Sequence, residues 1–531
     1  MMKRLGVLLI LLGLAVPAAQ AQTASWRSQA QDLTPLSDLV SNQVQVLEPA
    51  GDSLWIGPLL SVYLEGEDGL RIADVPALNE GNDVVFAIEA DGAAVWAGLA
   101  FDTGGSVPGA GGFVVSSDGG ETFAERPPQL DAPEDTTVSY GASTLPALPI
   151  TQQAESAPQS LAFGPEGDTV WVAGLRSGLR WTADGGDTWT RAVLPPDTSQ
   201  SVDPRTPTNF LVAPPLNDGR GFLNHVSFSV LVDETGTVWT GTAKGVNRSQ
   251  PASVTTDGSR AWRRFAAADT ANSVPGDVVV DLAEQPRPAG RNPVWMAAWA
   301  GQSGGAGTPL QRFGVAVTPD GGDTFRQTLI GERIFDLAAR RTRVYAAGPN
   351  GLFVSGDQGQ TWRSIEDFPL QNDDRVLPPE ITPRSVAVTD AALWVGTSDG
   401  LLRLDRAEEP TLLDGVPQWR LFRAETPVNP DEPSEEVPDV STYAYPNPFV
   451  PARDQRVRIV YELEQARTVE VSIYDFGMNQ VRTLTERKSA GQQETVWDGT
   501  DDRGLRVPTG TYFYEVDLGG KTVQGKILVA N

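Results

Sequence analysis

The 531-residue chain has no cysteine and a single histidine, His225. The lack of cysteine excludes disulfides, thiolate metal sites and cysteine nucleophiles. One histidine excludes histidine-rich zinc sites, and although a Ser-His-Asp triad would need that residue, a lone histidine beside an apolar strand is more often structural. The sequence therefore predicts neither a metal nor a cofactor.

Lysine is also scarce, with five among 41 basic residues, whereas 68 residues are acidic and the formal net charge is −27. The last 91 residues hold 11 basic and 12 acidic residues, so nearly all of the negative charge precedes residue 441. A surface this acidic repels nucleic acids and anionic membranes, and we expect neither as a partner.

No apolar run is long enough to span a bilayer. Residues 1–21 combine a basic start at Lys3 and Arg4, a short apolar run and small residues before Gln22. This order is typical of a secretory signal peptide that is removed from the mature protein. We therefore expect an exported monomer without a transmembrane segment.

A short β-rich phrase ending in a small residue recurs seven times. Its aromatic residues, spaced 41 to 75 residues apart, are Trp55, Trp96, Trp171, Trp239, Trp295, Tyr345 and Trp394. An alternating strand precedes the phrase, and a second strand, a turn and a last strand follow it, which gives four strands per unit. Seven such units predict an all-β fold with a seven-bladed β-propeller over residues 22–424.

The turn before the last strand carries its own pattern, Ser/Thr-x-Asp-x-Gly-x-Thr-Trp/Phe. The aspartate can accept hydrogen bonds from the turn, the glycine can adopt a positive φ, and the aromatic residue can pack between blades. A fifth copy keeps Asp257 and Trp262 but has lost the glycine and the second threonine. We interpret the four good copies as structural; they contribute Asp118, Thr122, Phe123, Asp184, Thr188, Trp189, Asp320, Thr324, Phe325, Asp357, Thr361 and Trp362.

These turns and their spacing resemble the Asp-box (BNR) propellers, which include sialidases, xyloglucanases, sortilin-type receptors and photosystem II assembly factors. The phrases LWVGTSDGLLRLD and VWTGTAKGVNRS also resemble the sensor propellers of two-component regulators. The resemblance implies the fold but no single activity, because unrelated proteins share the turn. The early Phe/Tyr-Arg-x-Pro stretch usual in sialidases is absent, whereas the two carboxylates of a glycosidase could be any of 68 acidic residues.

In a four-stranded blade, the loops between strands 2 and 3 and the loops between blades share one face. The long insertions fall on that face, at 101–112, 126–158, 193–224, 300–311 and 366–383. One elaborated face is typical of binding propellers. The apolar part of 126–158 either contacts a ligand or packs over the central channel. Our candidate binding residues are Tyr140, Leu145, Leu148, Arg220 and Trp299.

The C-terminal part changes character after a linker rich in proline and acidic residues at 425–440. Alternation in 441–531 predicts a small Ig-like β-sandwich. This segment resembles the Ig-like domain of flagellar hook-capping proteins and the C-terminal sorting domains of the Bacteroidota type IX secretion system. The matching positions include Pro446, Asn447, Pro448, Trp497, Asp498, Gly499, Gly510, Tyr512 and Lys526.

The resemblances and the elaborated face indicate a non-catalytic propeller that binds a glycan, peptide or protein ligand. The two ends of the chain imply export through the periplasm, with a type IX-like secretion machinery as partner, to the medium or the outer-membrane surface. One alternative is a glycoside hydrolase of sialidase or xyloglucanase type, and another is an envelope assembly factor or sensor module. The C-terminal domain could also be an accessory domain without a role in transport.

Overall fold

The computed structural model describes residues 41–423 and 441–530, together with 29–30, 34–36 and 39. The gaps within these ranges are 66–68, 74, 76–77, 79–82, 105–106, 217–218, 251–252, 302–308, 372–376, 378–380, 446 and 452–455. The predicted signal peptide, the linker and Pro446 lie outside the described residues. Helical elements are short and include a 3-10 turn at Leu223–His225 and one α-helical turn at Thr411–Asp414.

Seven antiparallel sheets, here called blades 1 to 7, follow one another along the chain. Two short strands precede them, β1 (Gln29–Ala30) and β2 (Thr34–Leu36). Blade 1 contains β3 (Leu47–Ala50), β4 (Ser53–Ile56), β5 (Ser61–Leu64) and β6 (Gly69–Ile72). Blade 2 contains β7 (Asp83–Asp91), β8 (Ala94–Phe101), β9 (Gly109–Ser116) and β10 (Thr122–Arg126).

A hairpin separates blades 2 and 3, formed by β11 (Thr137–Tyr140) and β12 (Ser143–Pro146). Blade 3 contains β13 (Pro158–Phe163), β14 (Val170–Gly174), β15 (Gly178–Thr182) and β16 (Thr190–Arg191). After β17 (Ser201–Val202), blade 4 contains β18 (Ser227–Val232), β19 (Val238–Thr242), β20 (Gly245–Gln250) and β21 (Ala261–Phe265).

Blade 5 contains β22 (Val278–Glu284), β23 (Val294–Trp299), β24 (Gly314–Thr318) and β25 (Arg326–Thr328). Blade 6 contains β26 (Asp336–Arg340), β27 (Arg343–Gly348), β28 (Gly351–Ser355) and β29 (Arg363–Ile365). Blade 7 contains β30 (Pro383–Val388), β31 (Ala392–Thr397), β32 (Gly400–Asp405) and β33 (Arg420–Phe422).

The blades close into a ring. The first strand of each blade, from β3 through β7, β13, β18, β22 and β26 to β30, lies against the first strand of the next, and β30 lies against β3. The first strands therefore surround a central channel, and the β-propeller predicted from the sequence is confirmed. Second strands such as β14 and β23 are buried along their whole length because the faces of their sheets are covered by both neighbouring blades.

Added strands cover some of the outer edges. β1 pairs with β10 of blade 2, β2 with β6 of blade 1, and β17 with β21 of blade 4. Since an open strand edge exposes unpaired main-chain groups, these additions protect three blades from pairing with another chain.

At the inner edges of the blades, which the first strands form, side chains supply the partners for open main-chain groups. One polar residue on each first strand bonds to the main chain of the next blade, at its first strand in blades 2 to 7 and just before β3 in blade 1, which supplies partners for groups that have none within their own sheet. The carboxylates of Glu48, Glu89, Asp281 and Asp336 accept from the N–H groups of Ala90, Phe163 (3.1 Å), Leu337 (2.8 Å) and Val386 (2.7 Å). Ser160 accepts from Val230 N–H at 3.1 Å, whereas Ser229 and Ser385 donate to the carbonyls of Val279 (3.5 Å) and Val44 (3.3 Å). We call these seven residues the inner ring.

The four repeated turns between strands 3 and 4 share one hydrogen-bond pattern. In the turn at 182–189, Thr182 donates to Asp184 Oδ1 at 2.7 Å and accepts from Gly186 N–H at 3.0 Å. The same carboxylate accepts from the N–H and the hydroxyl of Thr188 at 2.9 and 2.5 Å. Equivalent bonds hold Asp118, Asp320 and Asp357.

The aromatic residue after each turn packs against the preceding blade. Trp189 of blade 3 meets Trp96 of blade 2 with ring centroids 6.3 Å apart, and Trp362 of blade 6 meets Trp295 of blade 5 at 6.2 Å. Phe123, Trp262 and Phe325 make corresponding contacts with Trp55, Trp171 and Phe265. Trp262 is buried, whereas Phe123, Trp189 and Trp362 are half-buried.

The fifth turn compensates for its missing residues. Gly258 adopts a φ of 78° beside Trp181, although Ser259 has replaced the expected glycine. Asp257 accepts the N–H of Gly141 at 3.1 Å, a bond that comes from the β11–β12 hairpin rather than from the turn itself. The hairpin thus supplies a donor in a turn that lacks the second threonine.

The C-terminal segment is a two-sheet sandwich, which confirms the predicted Ig-like domain. Its strands are β34 (Thr442–Tyr445), β35 (Val457–Leu463), β36 (Arg467–Tyr474), β37 (Gln480–Lys488), β38 (Gly491–Trp497), β39 (Gly510–Asp517) and β40 (Thr522–Val529). β34, β35 and β38 form one sheet, and β37, β36, β39 and β40 form the other.

Several positions that carry the sorting-domain resemblance support this sandwich. Trp497 is fully buried and packs against Tyr512 with ring centroids 5.5 Å apart. Asn447 donates to the carbonyl of Lys526 at 2.9 Å and accepts from Leu528 N–H at 2.8 Å. Asp498 accepts from Thr500 N–H at 3.0 Å, and Gly499 has a φ of 74°.

Candidate binding site on the insertion face

The insertion face is the side where strands 2 and 3 of each blade join and where successive blades are connected. The turns that contain Asp118, Asp184, Asp320 and Asp357 lie on the opposite side, because they join strands 3 and 4. Insertions on this face contact one another: Ala110 N–H donates to the carbonyl of Gln153 at 2.9 Å. Val107 packs against a buried cluster that includes Phe228 of blade 4. The described parts of the insertions therefore form a connected layer.

The β11–β12 hairpin carries three of the sequence-predicted binding residues, and two of them are buried. Tyr140 is 1% exposed and Leu145 is 0% exposed, in a cluster with Trp171 and Trp262. The hydroxyl of Tyr140 donates to the carbonyl of Arg260 at 2.8 Å. Because Arg260 directly precedes the outer strand of blade 4 and Trp262 lies in it, the hairpin lies along the perimeter between blades 3 and 4 and not over the channel.

Leu148 and Arg220 lie in the connections on either side of blade 3. Leu148 is half-buried, and its carbonyl accepts from the guanidinium of Arg191 at 3.0 Å. Arg220 is exposed, and its carbonyl accepts from Leu216 N–H at 2.8 Å. A binding role for either residue stays a prediction.

The single histidine is structural in its described contacts. His225 Nε2 lies 3.0 Å from the carbonyl of Leu194, and Nδ1 has no hydrogen-bond partner among the described residues. Phe222 packs edge-on against the ring at 5.4 Å. Burial lowers the pKa of His225, so the ring is neutral at pH 7. A catalytic triad requires a serine hydroxyl and a carboxylate at the two ring nitrogens, and neither nitrogen contacts one among the described residues.

Trp299 belongs to a different group, on blades 5 to 7. It ends β23, is 8% exposed, and donates its indole N–H to the carbonyl of Ile334 at 2.6 Å. The guanidinium of Arg333 lies over its ring at 4.0 Å, and Phe335 packs edge-on at 6.0 Å. Arg384, on β30, lies 5.3 Å from the centre of the Phe335 ring. We call Trp299, Arg333, Phe335 and Arg384 the arginine–aromatic cluster.

Two cations are thus held close together in a strongly acidic molecule. Burial lowers the pKa of both Arg333 and Arg384, and the charge of Arg384 lowers that of Arg333 further. Arg384 is exposed and has no hydrogen bond or ion pair within the part of the chain that the structure describes. An anion placed between the two guanidiniums would relieve their mutual repulsion, and flat guanidiniums present paired donors to a carboxylate.

The cluster lies at the mouth of the channel. Phe335 directly precedes Asp336 of the inner ring, and Arg384 directly precedes Ser385 of the same ring. The insertions at 300–311 and 366–383 flank it, although 302–308 and most of 372–380 lie outside the described residues. The cluster is therefore placed where a ligand on the insertion face would meet the propeller axis.

Sequence analysis found Trp299 but missed the three residues that complete the cluster. Arg333 and Phe335 occur in GERIFDLAAR and Arg384 in TPRSVAVTD, in both cases just before an inner-ring residue. Aligning the repeats on their first strands, at SLAF, SVLV, DLAE, DLAA and SVAV, would have shown both the inner ring and the positions above it. The recurring phrase that defines the repeats lies on the second strands and therefore does not include these positions.

A pair of carboxyl groups also lies at the insertion-face end of blade 2. Asp83 begins β7, and Glu125 is near the end of β10. Burial and the negative charge of Glu125 raise the pKa of Asp83 to about 6, and burial raises the pKa of Glu125. A raised pKa in one member of a carboxyl pair is typical of an acid catalyst, although structural pairs show it too.

No group of three or more histidine, aspartate or glutamate residues among those that the structure describes is arranged to hold a metal ion. No described helix has the length and hydrophobicity needed to cross a bilayer.

Comparison with known families gives one match. The model of the FlgD Ig-like domain matches residues 452–520, within the C-terminal sandwich. No curated protein sequence matches the chain.

Several solved structures are similar over most of the chain. PorZ, a surface component of the type IX secretion system of Porphyromonas gingivalis, has 14% identity and a TM-score of 0.32, with 92% of this chain and 82% of PorZ covered. The GH74 xyloglucanase of Xanthomonas campestris has 12% identity and a TM-score of 0.48, with 93% and 75% covered. The extracellular domain of BT4673 from B. thetaiotaomicron has 11% identity and a TM-score of 0.26, with 94% and 76% covered. Identities this low do not indicate a shared activity.

Proposed function

We propose that the chain is a non-catalytic, extracellular binding propeller that holds an acidic ligand at the arginine–aromatic cluster. The observation that carries this proposal is Arg384, an exposed cation that has no ionic partner among the described residues and is stacked beside Phe335 and Arg333 in a protein of net charge −27. Other described arginines already have a carboxylate as ionic partner. Arg180, for example, is paired with Asp131 at 2.5 Å.

The ligand class follows from the donors and the stacking surfaces. A guanidinium binds a carboxylate through two parallel hydrogen bonds, and an aromatic ring beside it accepts an apolar or sugar-ring face. A glycan that contains uronic acid, or a peptide with an exposed carboxylate, meets both conditions. The surrounding negative charge would repel ligands that do not offer their carboxylate to this cluster.

The repeated turns favour assignment to the Asp-box (BNR) propellers, since in each the aspartate accepts from the Ser/Thr hydroxyl and from the N–H and hydroxyl of the threonine, while the Ser/Thr accepts the glycine N–H. Their hydrogen bonds occupy the aspartates, which argues for a scaffold role. The predicted signal peptide and the FlgD-like domain favour export with the help of a type IX-like machinery, to the cell surface or the medium.

Isothermal titration with a glucuronate-containing oligosaccharide, its neutral glucose counterpart and an acidic peptide tests the proposal. We expect the neutral sugar not to bind and at least one acidic probe to bind. The substitution Arg384→Ala should weaken that binding by about tenfold or more, which corresponds to about 1.4 kcal/mol.

Two further variants make the result specific. Arg384→Lys keeps the charge but loses the planar fork, so binding should fall to an intermediate value. Arg503→Ala removes an exposed arginine of the Ig-like domain, with a side chain 79% exposed, and should leave binding unchanged. Equal binding of the neutral and acidic sugars, unaffected by Arg384→Ala, would contradict the proposal.

A second candidate function is glycoside hydrolysis, favoured by the interaction of Asp83 with Glu125. The test is release of reducing sugar from xyloglucan by the full chain, with Asp83→Asn as the variant. Activity that is present in the parent and lost in the variant would support a hydrolase. The absence of turnover would leave the binding function as the better account.

A further inference from the structure

Four charged side chains meet where the Ig-like domain touches blade 7. Asp399 lies in the turn between β31 and β32, and Arg423 directly follows β33. Arg458 comes from β35 and Glu494 from β38, in one sheet of the Ig-like domain. All four residues are buried, with exposures of 6%, 3%, 7% and 4%. We call them the interdomain quartet.

The quartet alternates in charge, and each side contributes one cation and one anion. Asp399 accepts from Arg423 Nε at 3.1 Å and lies 3.3 Å from Arg458 Nη2 across the boundary. Glu494 lies 3.5 Å from Arg423 Nη1 across the boundary and 3.8 Å from Arg458 Nε within its own domain. Two of the four contacts therefore join the domains.

The charges are stabilised by one another. Burial alone would raise the pKa of Asp399, but the guanidiniums of Arg423 and Arg458 outweigh it and hold the pKa below its usual range. Burial would likewise lower the pKa of Arg423, and Asp399 and Glu494 reverse the effect. Each charge in the buried group thus depends on the others for its stability.

The apolar clusters stop at the boundary. The core of the Ig-like domain runs from Ala444 to Val529, and its members all belong to that domain. The clusters beside blade 7, around Trp419 and Trp394, consist of propeller residues alone. Within the described residues, no apolar cluster joins the two domains, whereas the quartet does.

We propose that the quartet is a binding surface that holds the Ig-like domain on the propeller without the linker, so that the two parts would stay associated if the chain were cut within 425–440. The partner of this surface is the chain's own C-terminal domain. The linker then serves to bring the two parts together, while the alternating charges hold them. Cleavage after blade 7 would on its own not release the propeller.

The test uses the full chain with a protease recognition sequence inserted into the linker at 425–440. After complete cleavage, size-exclusion chromatography at about 10 μM protein measures whether the two pieces elute together. We expect a single peak that contains both. Two separate peaks for the parent protein would overturn the proposal.

Three variants show whether the quartet is responsible. Arg458→Met leaves two anions facing one cation, and we expect at least tenfold weaker association. The double variant Arg458→Met with Glu494→Gln removes both contacts that cross the boundary, so it should separate at least as fully as the single variant. Arg503→Met, on the exposed surface, should behave as the parent.

A variant on the propeller side separates the proposal from simple unfolding. Asp399→Asn removes the same contact with Arg458 without changing the Ig-like domain, and we expect it to weaken the association by about tenfold as well. If Asp399→Asn co-eluted as completely as the parent, the effect of Arg458→Met would come from unfolding, and the proposal would fail. Co-elution of the Arg458→Met pieces as complete as in the parent would overturn it as well, because the quartet would then not be what holds the domains.

Discussion

Two neighbouring glycines in one turn are needed for different reasons. Gly119 and Gly120 both have positive φ, at 77° and 93°. A Cβ added to Gly119 would meet nothing within 4 Å, whereas one added to Gly120 would lie 2.4 Å from Cη2 of Trp55 in the preceding blade. The second glycine is therefore needed both for the turn and for the contact between blades.

We predict that Gly119→Ala lowers the free energy of unfolding by about 1–2 kcal/mol, the cost of a left-handed alanine. Gly120→Ala should cost about 1–3 kcal/mol more, because Trp55 must move. Urea unfolding followed by tryptophan fluorescence measures both. Equal losses for the two variants would contradict the packing role of Gly120.

At the scale of elements, the β11–β12 hairpin behaves as part of the blade 3 and blade 4 core. Tyr140→Ala should lower the free energy of unfolding by about 3–5 kcal/mol, as for other large buried aromatic residues. Tyr140→Phe removes only the hydrogen bond to the Arg260 carbonyl and should cost about 1 kcal/mol. Urea unfolding midpoints test both values. A Tyr140→Phe variant with normal stability but reduced ligand binding would instead assign the hydroxyl to a ligand.

The sequence predicted the blades well because each repeat carries local signals. The buried second strands, with Trp96 and Trp171 among them, and the aspartate turns recur in fixed order. The position of the hairpin was not predictable, since nothing local shows that Tyr140 packs beside Trp262, 122 positions further along the chain. The cluster around Trp299 was found only in part, because its members come from three blades and meet only when the ring closes.

At the scale of the whole molecule, the acidic residues of the inner ring and those of the repeated turns give the stability of the propeller opposite pH dependences. Burial raises the pKa of Glu89 to about 7 and that of Asp281 to about 6, and it raises those of Glu48 and Asp336 as well. Hydrogen bonds from Thr122, Thr188 and Thr361 lower the pKa of Asp118, Asp184 and Asp357 to about 2. The protonated form of the inner-ring carboxyl groups therefore stabilises the folded propeller. In the turns, it is the deprotonated form of the aspartates that does so.

The stability of the propeller should therefore pass through a maximum between about pH 4 and 5. Above this maximum, the inner-ring carboxyl groups keep their protons in the folded state, whereas the same groups have released them in the unfolded chain. The free energy of unfolding therefore falls until about pH 7, by about 1.4 kcal/mol per pH unit for each of these carboxyl groups. Below the maximum, the turn aspartates lose their stabilising effect as the pH falls from about 4 to about 2. Urea midpoints measured from pH 2 to 8 test the profile.

Glu89→Gln isolates one part of that profile. The amide oxygen can still accept from Phe163 N–H, but it does not titrate, so the decline between pH 4 and 7 should become shallower. Glu166→Gln, in the exposed turn after β13, removes the same charge away from the channel and is the matched control. An unchanged slope in Glu89→Gln would show that the inner ring does not control the pH response.

The seam between blades 7 and 1 has a mechanical consequence. In the described part of the chain no strand is shared across it; its bonds include Ser385 to the Val44 carbonyl at 3.3 Å, Val44 N–H to the Thr397 carbonyl at 3.0 Å and Gly400 N–H to the Asn42 carbonyl at 2.7 Å. A force applied between residues 41 and 423 would load this seam first, and the ring would open into an arc. Blades would then peel from the two ends in turn, so that a pulled molecule lengthens in steps set by the repeats, which are 41 to 75 residues apart.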